Sequence, residues 1–173
     1  MINGDAPSLP YRACVGAALF NQLGQVWVGK RIFKANRKWK DSWQMPQGGI
    51  EKDEPPNVAV IRELKEETGV DQVEIIAEID EWLKYDLPAH LKGNALEGKY
   101  RGQSQKWYAL KFLGNDKNFS LNYSPNPEFS HWKWVNLEEI VSLAIFFKRD
   151  VYRLVAAHFR HIPKLLSNHE ISP

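Results

Sequence analysis

The chain has 173 residues and a formal net charge of +2, with 43% hydrophobic and 25% charged residues. These values are typical of one globular domain with a substantial core, and they exclude a disordered or low-complexity chain. Cys14 is the only cysteine, and no stretch resembles a signal peptide or a membrane span. We therefore expect a cytoplasmic monomer without membrane or disulfide partners, formed by one domain over residues 1–173 with loose ends at residues 1–10 and 164–173.

The N-terminal part of the chain predicts a hairpin followed by a glycine loop and a helix. Strands are predicted at residues 13–20, 26–32 and 43–46, with a turn around Gly24. A basic loop, residues 34–42, separates the last two strands. Pro55 and Pro56 suit the first turn of a helix that ends at Thr68, and Gly69 suits the left-handed position after it.

The C-terminal part predicts further strands and one helix. Strands are expected at residues 73–83, 105–113 and 129–135, with a polar surface excursion over residues 88–102. Asn136 and Glu139 form a capping-box pattern before the next helical stretch. Val151, Leu154, Val155 and His158 follow helical spacing up to a stop near Pro163. This mixture of helices and strands predicts a layered α/β fold.

Three carboxylates of the first predicted helix fall on one arc of its surface. Glu63, Glu66 and Glu67 lie beside the apolar stripe that contains Val60 and Leu64. Like charges this close repel one another, and Mg²⁺, which binds oxygen ligands, would compensate them. The alternative is a solvated acidic helix face, in which Arg62 and Lys65 act as counter-charges.

The spacing around these carboxylates is more specific than the carboxylates themselves. The pattern is Gly48, five residues, Glu54, seven residues, Arg62-Glu63, Leu64, one residue, Glu66-Glu67, one residue, Gly69 and Val70. It resembles the Nudix box at every position. The resemblance implies the Nudix fold, an α/β/α sandwich with a mixed central sheet, and a hydrolase that uses Mg²⁺, Mn²⁺ or another divalent cation. It also implies that the Gly48 carbonyl binds the metal with Glu63, Glu66 and Glu67, and that Arg62 and Glu54 support the loop.

The resemblance extends beyond the box through YRACVG, WQMPQGG, EWLKYDLP, QSQKWYALKF, PEFSHWKWV and FKRDVYR. These segments are similar to Nudix enzymes acting on RNA 5′ ends and on dinucleoside polyphosphates. The similarity assigns phosphate contacts to Arg12, Arg31, Ser42 and Lys148, and nucleobase packing to Tyr85 and Phe147. It further assigns Glu128 to the metal site, as a ligand or base. Taken alone, Phe147 would be a core residue and Glu128 a surface residue.

The expected activity is therefore Mg²⁺-dependent hydrolysis of phosphoanhydride bonds. The substrates would be RNA 5′-triphosphate ends, dinucleoside polyphosphates such as diadenosine tetraphosphate, or both, with Glu63, Glu66 and Glu67 as catalytic residues. Sequence leaves the general base open among Glu63, Glu67 and Glu128, and Glu67 is favoured. Two alternatives are a catalytically silent nucleotide or RNA sensor and a basic RNA-binding domain without a pocket. The intact box argues against both.

Overall fold

The computed structural model describes residues 9–32, 41–91 and 95–168. Within them the strands are β1 (Tyr11–Phe20), β2 (Val26–Arg31), β3 (Trp43–Gln44), β4 (Gln47–Gly49), β5 (Val73–Glu78), β6 (Leu83–Asp86), β7 (Gly102–Phe112) and β8 (Phe129–Val135). The helices are α1 (Pro56–Thr68), α2 (Ile140–Leu143), α3 (Arg149–Phe159) and α4 (Ile162–Ser167). No helix in the described ranges combines the length and the apolar character that crossing a bilayer requires. Residues 34–40 of the predicted basic loop lie outside the described residues.

The strands form one mixed sheet with the order β3-β2-β1-β7-β5. Strand β1 pairs in parallel with β7 from Tyr11 opposite Gly102 to Phe20 opposite Lys111. The other pairings are antiparallel, and they attach β4 to β1, β6 to β7 and β8 to β2. Because β1 lies inside the sheet with both faces covered, its sequence is a continuous apolar run rather than an alternating one.

Helices cover both faces of this sheet, as the predicted α/β/α sandwich requires. On one face, Val60 and Leu64 of α1 belong to a core that also contains Val15 and Leu110. On the other face, Val155 of α3 belongs to a second core, which contains Phe20 and Trp107 of the sheet together with Ile162 of α4. Cys14 is fully buried in β1, where its sequence context predicted a strand residue.

Helix α1 begins and ends where local sequence signals predicted. Pro55 is its N-cap and Pro56 its first residue, a position at which a missing N–H costs no helical hydrogen bond. Gly69 closes the helix with φ 78°, and its N–H donates to the carbonyl of Lys65. A left-handed conformation of this kind favours glycine, because it has no Cβ.

Two local predictions were wrong. The strand expected over residues 73–83 is divided into β5 and β6, which both pair with β7. Glu78 lies opposite Tyr108 and Leu83 opposite Gln105, so four residues of the edge strand span two residues of β7 and bulge outwards. The tail was expected to be loose from residue 164, but α4 continues to Ser167 and buries Leu166.

The predicted surface excursion over residues 88–102 also has a structural role. Its described part contains a short 3₁₀ turn at Ala89–Leu91 and a second turn at Ala95–Gly98, in which Leu96 and Glu97 have positive φ. Leu91 and Leu96 from these turns pack against the core and line a cavity at this end of the sheet. The excursion is therefore one wall of that cavity.

Candidate active site

The glycine pair lies in a strand and not in the loop that the sequence predicted. Gly48 and Gly49 lie in β4, opposite Val15 and Cys14 of β1, and neither has a positive φ. A Cβ on Gly48 would lie 1.9 Å from a carboxylate oxygen of Glu63. Glycine is required here because the backbone of β4 approaches the helix carboxylate too closely for a side chain.

The three carboxylates of α1 lie in different environments. The side chain of Glu63 is 15% exposed and faces the cavity, and that of Glu66 is 50% exposed on the outer side of the helix. Glu67 is buried and 6% exposed. The helix therefore presents a graded set of acids that runs from solvent into the core, and not the uniform surface patch that the helical arc suggested.

Glu67 holds the glycine strand through one of its two carboxylate oxygens. Oε2 accepts the Gln47 N–H at 3.0 Å, and buried Oε1 has no hydrogen-bond partner among the described residues. Burial raises the pKa of Glu67 to about 8, although the Gln47 N–H acts against this shift. Burial raises the pKa of Glu63 as well, and Arg62 opposes that change. Two buried carboxylates thus lie next to the glycine strand, and their hydrogen bonds offset the effect of burial only in part.

Arg62 connects the helix to the glycine strand. Its guanidinium donates to both carboxylate oxygens of Glu54, at 2.7 and 2.8 Å, and to the Gly49 carbonyl at 2.8 Å. It also donates to Glu63 at 2.9 Å. Hydrogen bonding to Arg62 lowers the pKa of Glu54 to about 2. This paired geometry restricts both side chains and fixes β4 against α1.

A cavity of about 390 Å³ opens beside this junction. Its lining contains most of the residues that the sequence assigned to substrate and metal: Arg12, Arg31, Ser42, Gly48, Glu63, Tyr85, Glu128, Phe147 and Lys148. Glu66 and Glu67 do not line it. Arg12 and Lys148, which are 136 positions apart in sequence, meet here because β1 begins at this cavity and the turn before α3 also lines it.

Positive groups surround the polar end of the cavity. The guanidinium of Arg12 lies against Gly49, where an added Cβ would lie 2.3 Å from Nη2. Arg31 contacts the carboxylate of Glu128, which is 45% exposed. Glu128 therefore lines the cavity with its carboxylate held by Arg31.

Lys148 is buried at the inner end of the cavity. Its Nζ donates to Gln44 Oε1 at 2.7 Å and lies 5.6 Å from the centre of the Tyr85 ring. Burial lowers the pKa of Lys148 to about 7, and the positive charge of Arg31 acts in the same direction. An anion in the cavity would compensate both effects.

The apolar wall of the cavity contains Tyr85 and Phe147. Their ring centres are 5.7 Å apart with a tilt of 37°, so the two rings contact each other and leave no space for a third ring between them. Tyr85 is 8% exposed and supports Phe147 from the interior. A planar ligand would thus pack on Phe147, with Tyr85 beneath it.

Sequence reasoning missed a set of buried glutamines on the cavity floor. Gln103 Oε1 accepts from Gln47 Nε2 at 3.2 Å and from Gln105 Nε2 at 2.9 Å, while Trp107 Nε1 donates to Gln105 at 3.0 Å. Two donors on one oxygen fix the orientation of the Gln103 amide. The segment QSQ could have revealed them, because Gln103 and Gln105 are two positions apart and therefore point to the same face of a strand.

The residues present fit a hard divalent cation. Within the described ranges, no three Asp, Glu, His or Cys side chains are already gathered around one point as a metal site. The Glu67 carboxylate oxygen without a partner and the Glu63 carboxylate against Gly48 are, however, buried oxygen donors whose negative charge is compensated only in part. Mg²⁺ binds such sites through a few carboxylates and completes its coordination with water and substrate phosphates.

Comparison with known proteins agrees with this geometry. Residues 10–156 match the NUDIX domain family. The chain is 47% identical to an RNA pyrophosphohydrolase of Brucella anthropi over 91% of this chain and 94% of that protein. It is 46% identical to an RNA pyrophosphohydrolase of Brucella abortus over 91% of this chain and 92% of that protein.

Two solved structures have the same fold at lower sequence identity. The dihydroneopterin triphosphate pyrophosphohydrolase of E. coli aligns with a TM-score of 0.63 at 19% identity, over 86% of this chain and 99% of that one. An Ap4A hydrolase of C. elegans aligns with a TM-score of 0.59 at 22% identity, over 86% and 98%. The fold, the box spacing and the family match lead to one conclusion: this chain belongs to the Nudix family.

Proposed function

We propose that this chain is a Nudix pyrophosphohydrolase that removes pyrophosphate from the 5′-triphosphate ends of RNA. The observation that carries the proposal is the convergence of Arg12, Arg31 and Lys148 on one cavity beside the carboxylates of α1. The identity of 47% to an RNA pyrophosphohydrolase, over 91% of this chain, supports RNA as the substrate class.

In this proposal the basic residues hold the phosphate chain. Arg12 and Arg31 present planar guanidinium groups, which bind phosphate oxygens in pairs, and Lys148 supplies a compact charge at the inner end. A bound phosphate would compete with Glu128 for Arg31. Substrate binding would thus release the Glu128 carboxylate from Arg31, and it could then act as a metal ligand or base, the role that sequence resemblance predicts.

The first bases of the RNA would pack on the wall formed by Phe147 and Tyr85. Stacking on an aromatic face tolerates any base, so this wall would position the substrate without strong selection. Ser42, whose carbonyl accepts the Arg31 N–H at 3.1 Å, would add a hydroxyl contact to a phosphate. Positioning of this kind is a large part of phosphoryl-transfer catalysis.

Glu63, Glu66, Glu67 and the Gly48 carbonyl would hold a divalent cation, Mg²⁺ in the first instance, which would neutralise charge on the phosphates and activate water. Glu67 would accept the proton of the attacking water. Its Oε2 holds the Gln47 N–H, and its Oε1 has no hydrogen-bond partner among the described residues. We propose a monomer as the active form.

The test is a steady-state comparison of two substrates with Mg²⁺, 5′-triphosphorylated RNA and diadenosine tetraphosphate. We expect turnover of the RNA end, and loss of at least about a thousandfold in kcat for Glu67→Gln. Glutamine can keep the Gln47 hydrogen bond through its amide oxygen, so folding should be unchanged. Hydrolysis of diadenosine tetraphosphate alone would reassign the substrate. Binding of RNA without turnover of either substrate would support a sensor.

A further inference from the structure

A buried chain of hydrogen bonds determines which atom of Gln103 faces the cavity. The chain begins at Trp107, which is fully buried. Its indole lies on Gly16, where an added Cβ would lie 2.5 Å from the ring, and the ring of Tyr152 packs against it edge to face with centres 5.7 Å apart. These contacts fix the direction of the Trp107 N–H.

The polarity of the chain follows from this indole, because its Nε1 can only donate a hydrogen bond. Trp107 Nε1 donates to Gln105 Oε1 at 3.0 Å, so the amide nitrogen of Gln105 is the atom that donates to Gln103 Oε1 at 2.9 Å. The Gln47 atom at 3.2 Å from the same oxygen is then also a nitrogen. The chain keeps this polarity although it leaves Gln47 Oε1 buried with no hydrogen-bond partner among the described residues.

Gln103 therefore presents its Nε2 as a donor. Both hydrogen bonds of its amide are made by Oε1, and Nε2 has no partner in the part of the chain that the structure describes. Gln103 lines the cavity although it is only 7% exposed. Because the amide is already held in one orientation, it can meet an acceptor of the substrate without rearrangement.

The position of Gln103 indicates which part of the substrate it meets. In the sheet it lies opposite Arg12 of β1 on one side and opposite Tyr85 of β6 on the other. Neighbouring strands are about 4.8 Å apart, so the three side chains form a row from the basic to the aromatic part of the cavity, which all three line. A substrate with its phosphate chain at Arg12 and its base at the aromatic wall places its α-phosphate between them.

We infer that Gln103 Nε2 donates a hydrogen bond to a non-bridging oxygen of the substrate's α-phosphate, and that Gln105 and Trp107 are positioning residues for this donor. An amide can present either a donor or an acceptor, so its fixed polarity decides whether it attracts or repels an anionic phosphate. This inference rests on the proposed function and adds a specific contact to it.

The test uses the triphosphorylated dinucleotide pppApA with Mg²⁺. Beside the unmodified molecule it needs the two diastereomers with sulfur in place of one non-bridging α-oxygen, and a form with 2′-deoxyribose in the first nucleotide. We expect Gln103→Met to lower kcat/KM on the unmodified molecule by at least about tenfold, the size of one hydrogen bond to a charged group. Since sulfur is a weak acceptor, this loss should largely disappear for one diastereomer and persist for the other. It should also persist for the 2′-deoxy form.

Two further variants complete the test. Gln72→Met makes the same change at an exposed glutamine outside the cavity, and it should keep the wild-type kcat/KM on all four molecules. Gln105→Met removes one of the two donors that hold the Gln103 amide, so it should give the same diastereomer pattern at a smaller size. If Gln103→Met lowers Tm strongly, Gln103→Asn, which is one methylene shorter, takes its place with the same expected pattern.

Several outcomes would overturn the inference. Equal losses of Gln103→Met on all four molecules would indicate a purely structural role, and a loss that disappears only for the 2′-deoxy form would move the contact to the ribose. Wild-type kcat/KM in Gln103→Met would remove the contact altogether. Wild-type kcat/KM in Gln105→Met would remove the positioning role of the buried chain.

A binding measurement separates this inference from the proposed function. If the wild type hydrolyses none of the four molecules, the proposed function fails, and calorimetry with pppApA and its two sulfur forms without metal then tests Gln103 alone. Weaker binding by Gln103→Met that disappears for one diastereomer supports the contact. Equal weakening for all three molecules, or no weakening, contradicts it.

Discussion

Gly48→Ala is the substitution whose effect follows most directly from the structure. An added Cβ would lie 1.9, 2.0 and 2.4 Å from the three terminal atoms of Glu63, so the carboxylate must leave its position. The obstructing atoms belong to the end of a flexible side chain, and Gly48 has no positive φ. The fold can therefore accept alanine at little cost, whereas the active site loses the position of one carboxylate.

The magnitude comes from the displacement. Carbon and oxygen atoms without a bond need about 3 Å or more, so the carboxylate moves by at least about 1 Å, a misplacement that can cost about a hundredfold in rate. That factor corresponds to about 2.7 kcal/mol in activation free energy. We expect kcat to fall by about this factor, while the free energy of unfolding in urea changes by less than about 1 kcal/mol.

Two companion variants show whether Glu63 carries the effect. In a Glu63→Ala background the carboxylate is absent, so adding Gly48→Ala should cause no further loss of kcat. Gly49→Ala, one residue away, meets the guanidinium of Arg12 instead and should act mainly on KM. Independent, multiplying losses for Gly48→Ala and Glu63→Ala would refute this explanation, as would a Gly48→Ala variant with wild-type kcat.

Three further predictions concern stability and pH. Since Arg62 holds the pKa of Glu54 at about 2, against an ordinary value of 4.5, this carboxylate stabilises the fold above pH 4.5 and the contribution is lost as the pH falls towards 2. Glu54→Gln should flatten the fall of Tm in that window, and equal slopes would disprove the link. Burial lowers the pKa of Lys148 to about 7, so nucleotide affinity measured by calorimetry should weaken as the pH rises through 7. Lys148→Met should bind weakly at every pH, and a wild-type profile without this decline would count against a phosphate contact. Tyr152 accepts the buried Met45 N–H at 3.0 Å, so Tyr152→Phe should cost about 1–3 kcal/mol in urea unfolding, and no loss would mean that the N–H finds another partner.

Local signals made parts of this fold predictable. The proline pair, the break-free helical run and Gly69 define α1 within its own sequence, and the alternation of FSHWKWV gives β8 with its observed bounds. The division of the edge strand at residues 79–82 was not predictable in this way. It depends on the register with β7, which lies more than 20 residues further along the chain.

The same distinction holds at the site. The box spacing predicted three acids of α1 as metal ligands, and that assignment stays a prediction. The burial of Glu67 had no local signal, because it depends on β4, whose pairing with β1 is a long-range contact. The orientation of Gln103 depends on donors from two strands and has no local signature. Arg31 was assigned to phosphate and Glu128 to metal, and only the folded structure shows that these two side chains contact each other.

The central claim is that this cleft converts an RNA triphosphate end to a monophosphate end. The most direct measurement uses RNA labelled at the 5′ α-phosphate, incubated with the purified chain and Mg²⁺, followed by analysis of the labelled terminal nucleotide. The proposal predicts that the label stays on the RNA as a 5′ monophosphate, and that Glu67→Gln leaves the triphosphate intact. RNA that keeps its triphosphate end in the presence of the wild-type protein would contradict the claim.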